Sequence, residues 1–207
     1  MGRSPSSIQF PPPVFLGFIA KKHHPVSPKE WGGAKEICSV SRCIAAYPVG
    51  WDDDPFDPPE FNRAHCLATA DDARQRILEL DRYGSRIYAL RLIPAVFAKE
   101  SRTPLILSAE DVYAHYNDLP DLPDEPDLAD LDRLGFDVTM FGSLGGSFWG
   151  WSCSPLSCND MFQEHPVNRY CLIDDLDDAV KAAQDFAKNE PEPGPYVIVE
   201  VLREATQ

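Results

Sequence analysis

The fold is decided by the stretch Asn168-Arg169-Tyr170-Cys171-Leu172, which Asp177-Asp178-Ala179 follows, because the chain contains it twice. The first occurrence reads Asn62-Arg63-Ala64-His65-Cys66-Leu67, followed by Asp71-Asp72-Ala73. Two upstream motifs recur in the same order: Leu16-Gly17-Phe18 with Leu134-Gly135-Phe136, and Cys38-Ser39-Val40-Ser41-Arg42-Cys43 with Cys153-Ser154-Pro155-Leu156-Ser157-Cys158. Motifs repeated in one order predict two copies of a single supersecondary unit.

Each copy has the pattern strand, long loop, strand, helix, strand. A strand–helix–strand crossover leaves its two strands parallel, so we predict an α+β fold with a mixed β-sheet. Each copy alone is too small for a stable core, so both copies should share one compact domain. We predict a flexible leader over 1–13 and a single domain over 14–207. Within it, repeat one covers 14–97, repeat two covers 134–203, and a connector with a short helix and an acidic linker covers 98–133.

Capping residues and apolar spacing place the elements. Thr69 before Asp71-Asp72 predicts a helix N-terminus, and Gly84 predicts the end of that helix. A second helix is predicted over 176–188, and a capping box predicts a short one over 108–117. Strands are predicted over 14–20, 64–68, 87–93, 134–141, 148–153, 170–173 and 196–202.

Composition limits the partners. The formal net charge of -14 over 207 residues argues against nucleic acid and anionic membranes as direct partners and favours a basic protein. We find no run of the ~20 apolar residues that a membrane-spanning helix needs. The N-terminal residues do not have the pattern of a secretory signal, so we expect a cytoplasmic protein with reduced cysteines.

Two cysteine pairs are candidate metal ligands. Cys38 and Cys43 are five positions apart, as are Cys153 and Cys158. Four thiolates brought together by the repeat would suit one structural, tetrahedral Zn²⁺. The alternative is that these cysteines are small core residues and that the protein has no cofactor.

The repeated Asn-Arg dipeptides are candidate partner-binding residues, namely Asn62, Arg63, Asn168 and Arg169. Arg offers a planar fork to a carboxylate. In the alternative interpretation each Asn caps the entry to the following strand, and each Arg pairs with the acidic start of the following helix.

Three further residues are candidates for a binding surface or a site. Trp149 and Trp151 lie near a cysteine pair and suggest a binding surface or the plug of a small core. Glu200 interrupts an apolar strand, where a carboxylate is costly unless it is paired or functional.

Function is predicted as a non-catalytic, acidic, intracellular protein-binding module of the immunity or accessory type that acts on a basic partner. One alternative is an enzyme, a transferase or hydrolase, with a cleft between the repeats. Glu200 near Arg91 or Tyr88 loosely resembles the layout of ADP-ribosyltransferases. The other alternative is a zinc-stabilised structural domain. A deep pocket lined by Glu200, Arg91 and Arg169 would favour the enzyme, and an acidic face would favour the binding module.

Overall fold

The computed structural model describes residues 8–41, 66–80, 84–99, 101, 103–106, 122–143, 149–151, 153–192 and 194–204. The strands are β1 (Val14–Lys22), β2 (Ser85–Phe97), β3 (Leu105–Ile106), β4 (Leu131–Ser143), β5 (Trp149–Trp151) and β6 (Tyr196–Glu204). The helices are α1 (Ala70–Leu80), the short α2 (Pro155–Cys158) and α3 (Leu176–Asn189), with a 3-10 turn over Met161–Gln163. The architecture is α+β. The predicted helix over 108–117 lies outside the described residues.

The strands form a sheet in the order β1-β2-β6-β4-β5, with β3 added to β2. Every pairing among the described strands is antiparallel, so the predicted mixed sheet is wrong. The predicted parallel pairing is absent because Leu67, just before α1, pairs with β1 and not with β2. Leu67 forms an antiparallel bridge with Phe18. The chain at Leu67 therefore runs parallel to β2, but β1 lies between them. Ile173 is separated from β6 by β4 in the same way.

Two glycines interrupt the outer strands in the same manner. The register of β1 against β2 shifts between Phe15 and Gly17, and that of β4 against β6 shifts between Arg133 and Gly135. Gly17 has φ 122° and Gly135 has φ 143°, a region that favours glycine. A Cβ at Gly135 would lie 2.8 Å from the Ile173 carbonyl oxygen. Each bulge thus lets the segment before the helix approach the strand.

The centre of the sheet has a regular register. Leu90 of β2 is opposite Val201 of β6, and Arg91 is opposite Glu200. On the outer sides, Gly17 is opposite Leu90 and Gly135 is opposite Val201. Apart from β3 and β5, the strand order β1-β2-β6-β4 is symmetric when β1 is matched with β4 and β2 with β6.

The two faces of the sheet are covered differently. One face packs against α1 and α3, and the other is covered by the loops around residues 23–41 and 168–172. Valines 197, 199 and 201 of β6 point to the loop-covered face, and Ile198 and Leu202 point to the helical face. Both faces of β6 are buried, as its near-continuous apolar sequence predicts.

The strand predicted over 170–173 is wrong except for the bridge at Ile173. Asn168 accepts hydrogen bonds from the backbone N–H of Tyr170 (2.8 Å) and of Leu172 (3.3 Å), which forms a turn. Cys171 has φ 58°, which an extended strand does not allow. Within the part of the chain that the structure describes, no helix combines the length and apolar character needed to cross a membrane.

Candidate functional site

A groove of about 870 Å³ lies beside α1 on the helical face of the sheet. Four strands, the start of α1 and the acidic connector supply its lining. The lining residues are Phe18, Ala68, Thr69, Ala70, Arg74, Ile87, Ala89, Pro123, Asp124, Pro126, Asp127, Leu128, Asp130, Leu131 and Glu204. We call this cavity the α1 groove.

The α1 groove combines an apolar interior with an acidic edge. Its apolar side chains belong to the small core cluster between α1 and the sheet: Phe18, Ile87, Ala89, Leu128 and Leu131. Its carboxylates are all exposed: Asp124, Asp127, Asp130 and Glu204. Among the described lining residues, Arg74 is the only base. The cavity is therefore suited to a ligand that is apolar in part and positively charged.

The position of α1 at this groove follows from its N-cap. The Thr69 hydroxyl accepts the Asp72 backbone N–H at 3.1 Å, and the Asp72 carboxylate accepts the Thr69 backbone N–H at 3.2 Å. This reciprocal arrangement satisfies two N–H groups that a helix start would otherwise leave unpaired. The helix therefore begins beside the bridge at Leu67.

Arg74 links two elements at the edge of the groove. Its Nη1 donates to Asp71 Oδ1 at 2.5 Å, and its Nη2 donates to Glu204 Oε1. All three side chains reach solvent, with exposed fractions of 48% for Arg74, 89% for Asp71 and 51% for Glu204. One guanidinium thus bridges a carboxylate of α1 and a carboxylate at the end of β6.

A second polar cluster lies inside the loop-covered face, around Asp137 of β4. Ser39 Oγ and the Val40 backbone N–H both donate to Asp137 Oδ2 at 2.7 Å, and Ser154 Oγ donates to Oδ1 at 2.6 Å. Burial raises the pKa of Asp137, while the hydrogen bonds from Ser154, Ser39 and Val40 act in the opposite direction. The carboxylate thereby ties residues 39–40 and 154 to β4.

Lys21 fixes the same loop from β1. Its Nζ donates to the Ser39 carbonyl and, at 3.1 Å, to the Ser41 carbonyl. Burial lowers the pKa of Lys21 to about 8, and the charge of Asp137 partly opposes that shift. Lys21 is 2% exposed and Asp137 is 0% exposed. Both groups are buried, and their hydrogen bonds connect the 39–41 segment to β1 and β4.

Glu36, three residues before Ser39 in the same loop, forms a third cluster. Arg86 Nη1 donates to both of its carboxylate oxygens at 2.9 Å, and Arg203 Nη1 donates to Oε1 at 2.8 Å. The Tyr88 hydroxyl donates to Oε1 at 3.3 Å. Glu36 is buried, so these donors compensate for its desolvation. They attach the loop to the sheet.

Glu200 is ion-paired and lies away from Arg169. Arg91 Nε is 2.9 Å from Glu200 Oε2, and Arg91 Nη1 also reaches Glu125 Oε1 at 3.3 Å. Glu200 points to the helical face, opposite to that of Arg203. The Tyr170 ring lies beside Arg203 and beside Arg169, on the loop-covered face. The structure thus brings Glu200 together with Arg91 and separates it from Arg169.

Asn168 holds a turn and does not cap the entry to a strand. Besides accepting the backbone N–H groups described above, its Nδ2 donates to the Leu134 carbonyl and to Asp174 Oδ1, both at 2.7 Å. Arg169 is exposed, with its guanidinium carbon 5.0 Å from the Tyr170 ring centroid. Among the described residues, no ion pair joins Arg169 to the start of α3. Asn62 and Arg63 lie outside the described residues.

The predicted metal ligands are only partly described, since Cys43 lies outside the described residues. Cys38 Sγ is 3.7 Å from the Tyr88 hydroxyl, and Cys158 Sγ is 3.1 Å from Ser41 Oγ. Burial raises the pKa of Cys38 to about 12, which disfavours a thiolate. Cys153 is half-buried. No group of three or more His, Cys, Asp or Glu within the described ranges is arranged to hold a metal ion. The zinc site stays a prediction.

The tryptophans are described in part. Trp149 and Trp151 lie on β5, opposite Ser143 and Phe141 of β4, and their side chains are outside the description. Trp31 stacks on Phe162 with ring centroids 5.2 Å apart and helps fill the small core under the 23–41 loop.

Comparison with known proteins does not assign a family. A scan against protein-family models, a search of curated proteins and a search of solved structures each found no match.

The sequence contained a signal for the cluster of Asp137 and Lys21, which we did not predict. Asp137 interrupts an apolar strand just as Glu200 does, and Lys21 ends one. The α1 groove had a weaker signal, since the acidic connector was recognised but its position against α1 was not.

Proposed function

We propose that this protein is a non-catalytic binding module that holds a basic segment of a protein partner in the α1 groove. The observation that carries the proposal is the pairing of an apolar interior with four exposed carboxylates around one cavity. An immunity or accessory protein that docks a basic partner is one form of this function.

The two parts of the groove have different roles in binding. Burial of partner side chains against Phe18, Ile87 and Leu128 supplies affinity, at roughly 25 cal/mol per Å² of apolar surface. The carboxylates favour a positively charged segment over other apolar segments and accelerate its association. The net charge of -14 acts in the same direction over longer distances.

The enzyme alternative has less support. The ion pair with Arg91 engages Glu200, the carboxylate that we had considered for catalysis. The buried Asp137, Ser39 and Lys21 have no access to a substrate, and both hydroxyls near Asp137 donate to its carboxylate. A binding role, unlike catalysis, does not require an accessible acid, base or nucleophile.

We also propose that the two halves descend from one duplicated unit, so that β1, α1 and β2 correspond to β4, α3 and β6. The symmetric strand order supports this, as do the bulges at Gly17 and Gly135. The bridges at Leu67 and Ile173, each made just before a helix, support it further. The α1 groove then belongs to the first copy.

The binding proposal is tested with a fluorescein-labelled decapeptide of alternating arginine and leucine, followed by fluorescence anisotropy. The triple variant Asp124→Asn/Asp127→Asn/Asp130→Asn should weaken binding about tenfold, since each exposed charge contributes a few tenths of a kcal/mol. The matched control is Glu30→Gln/Glu164→Gln/Asp177→Asn, which removes three exposed charges elsewhere.

The control variant should bind within about twofold of the wild type, because distant charges are screened beyond ~10 Å. Equal weakening in both triple variants would reduce the effect to net charge and contradict the proposal. So would a wild-type protein that does not bind the peptide.

A further inference from the structure

We infer that the Arg74 guanidinium occupies, in the free protein, the position that an arginine of the partner takes in the α1 groove. This inference rests on the function proposed above and names its recognition element. The partner would present an arginine beside an apolar side chain, and it would displace Arg74 on binding.

The geometry of the Arg74 contact suits a guanidinium. Nη1 and Nη2 of Arg74 bind two different carboxylates, one on the first turn of α1 and one at the end of β6. A guanidinium matches such a pair because its donors form a planar fork. The position between Asp71 and Glu204 therefore already accommodates an arginine head group.

An arginine of the partner can replace Arg74 in this contact. Asp71 is 89% exposed and Glu204 is 51% exposed, so water screens their attraction to Arg74. Exposed ion pairs contribute little to stability. Arg74 also lines the groove, so its side chain competes for space with any occupant.

Loss of the Arg74 side chain is expected to increase the affinity for the peptide, although it removes an ion pair. Removing the positive charge of Arg74 should strengthen binding of the arginine–leucine decapeptide, because both carboxylates become available to the peptide. We expect Arg74→Gln to tighten binding about fivefold, the affinity equivalent of a well-formed exposed ion pair. Gln and Arg have similar helix propensities, so α1 should be preserved.

Arg76→Gln is the matched control. Arg76 lies on the same helix, its Nη1 is 3.9 Å from Glu79 Oε2, and it does not line the groove. Both variants change the net charge equally. We expect the affinity of Arg76→Gln to stay within about twofold of the wild type.

A second pair of measurements identifies the carboxylate. Glu204→Gln should weaken binding and should remove most of the gain from Arg74→Gln in the double variant, since both changes act at one position. A decapeptide of alternating lysine and leucine should gain less from Arg74→Gln, because an ammonium lacks the planar, fixed donor geometry with which a guanidinium binds carboxylates.

Each outcome decides between the two proposals. Equal tightening by Arg74→Gln and Arg76→Gln, or weaker binding by Arg74→Gln with an unchanged circular dichroism spectrum, would overturn the inference and leave the binding function standing. A wild-type protein and an Arg74→Gln variant that both fail to bind the peptide would overturn the binding function itself.

Discussion

The two long helices cover the same face of the sheet, but they cover it unequally. In α3, six side chains are buried: Ala179, Val180, Ala182, Ala183, Phe186 and Ala187. Among the described side chains of α1, only Ala73 is buried. Leu78 is 69% exposed. The groove lies beside α1, the helix whose described side chains are less buried.

One pair of positions illustrates the difference. Ala73 and Ala179 follow the repeated Asn by the same spacing, and the next residues are Arg74 and Val180. Val180 is 8% exposed and packs in the core beneath α3. Arg74 turns to the groove and to solvent instead.

The largest expected effect is a difference in core packing between the halves. Phe186→Ala should lower the free energy of unfolding by about 3–5 kcal/mol, because it leaves a cavity in a filled core. Ile77→Ala, on the half-buried side of α1, should cost about 1 kcal/mol. Urea denaturation measures both values. Equal losses would mean that α1 packs as tightly as α3.

The next effect concerns pH and the loop-covered face. The pKa of Lys21 is lowered by burial from 10.5 to about 8 in the folded protein. Between these pH values the unfolded chain binds more protons, so Lys21 makes stability rise with pH by up to about 3 kcal/mol. Below pH 8 both states carry the proton and this contribution is constant.

Lys21→Met should therefore flatten the dependence of the free energy of unfolding on pH between 8 and 10.5. The matched control is Lys22→Met, since Lys22 is exposed on the same strand. An identical pH profile for wild type and Lys21→Met would show that burial does not perturb Lys21.

The helix caps should show no difference between the halves. Asp175 Oδ1 accepts the Asp177 and Asp178 backbone N–H groups at 2.8 and 3.4 Å, and Thr69 serves α1. Thr69→Ala and Asp175→Ala should each cost about 1 kcal/mol in thermal or urea unfolding, because capping is local. A cost near zero for Thr69→Ala would indicate that α1 frays in the native state.

The smallest expected effect is at Leu78. Leu78→Gln should change the free energy of unfolding by less than about 0.5 kcal/mol, because the side chain is exposed. A loss above about 1 kcal/mol would mean that Leu78 is covered in solution, for instance by association of two copies.

The parts of the fold that depend on local chemistry could be predicted from the sequence. The start of α1 follows from Thr69 with Asp71 and Asp72 in the first turn, and the extent of α3 follows from its apolar spacing. The strand predicted over 170–173 is wrong, because the Asn168 side chain and the left-handed Cys171 override the β-propensity of the segment. The turn over 168–172 is stabilised by the hydrogen bond from Asn168 to the Leu134 carbonyl, which is distant in sequence.

Of the α1 groove, only the acidic character of its edge could be predicted from the sequence. The acidity of the connector is visible in the sequence, but its position against α1 depends on Leu128 and Leu131 packing in the cluster with Phe18. Asp137 was missed because its partners, Ser39 and Ser154, come from two loops far apart in the chain. Such long-range partners leave no periodic pattern.

The strand order has a consequence for how the protein is made. β6 lies between β2 and β4, and it is synthesised after both of them. Until it emerges from the ribosome, β2 and β4 each lack the neighbour that β6 provides, and none of the other described strands pairs the first part of the chain with the second. Exposed edges of this kind invite association with other chains. A nascent chain stalled before Tyr196 would therefore depend on chaperones in a way that the finished protein does not.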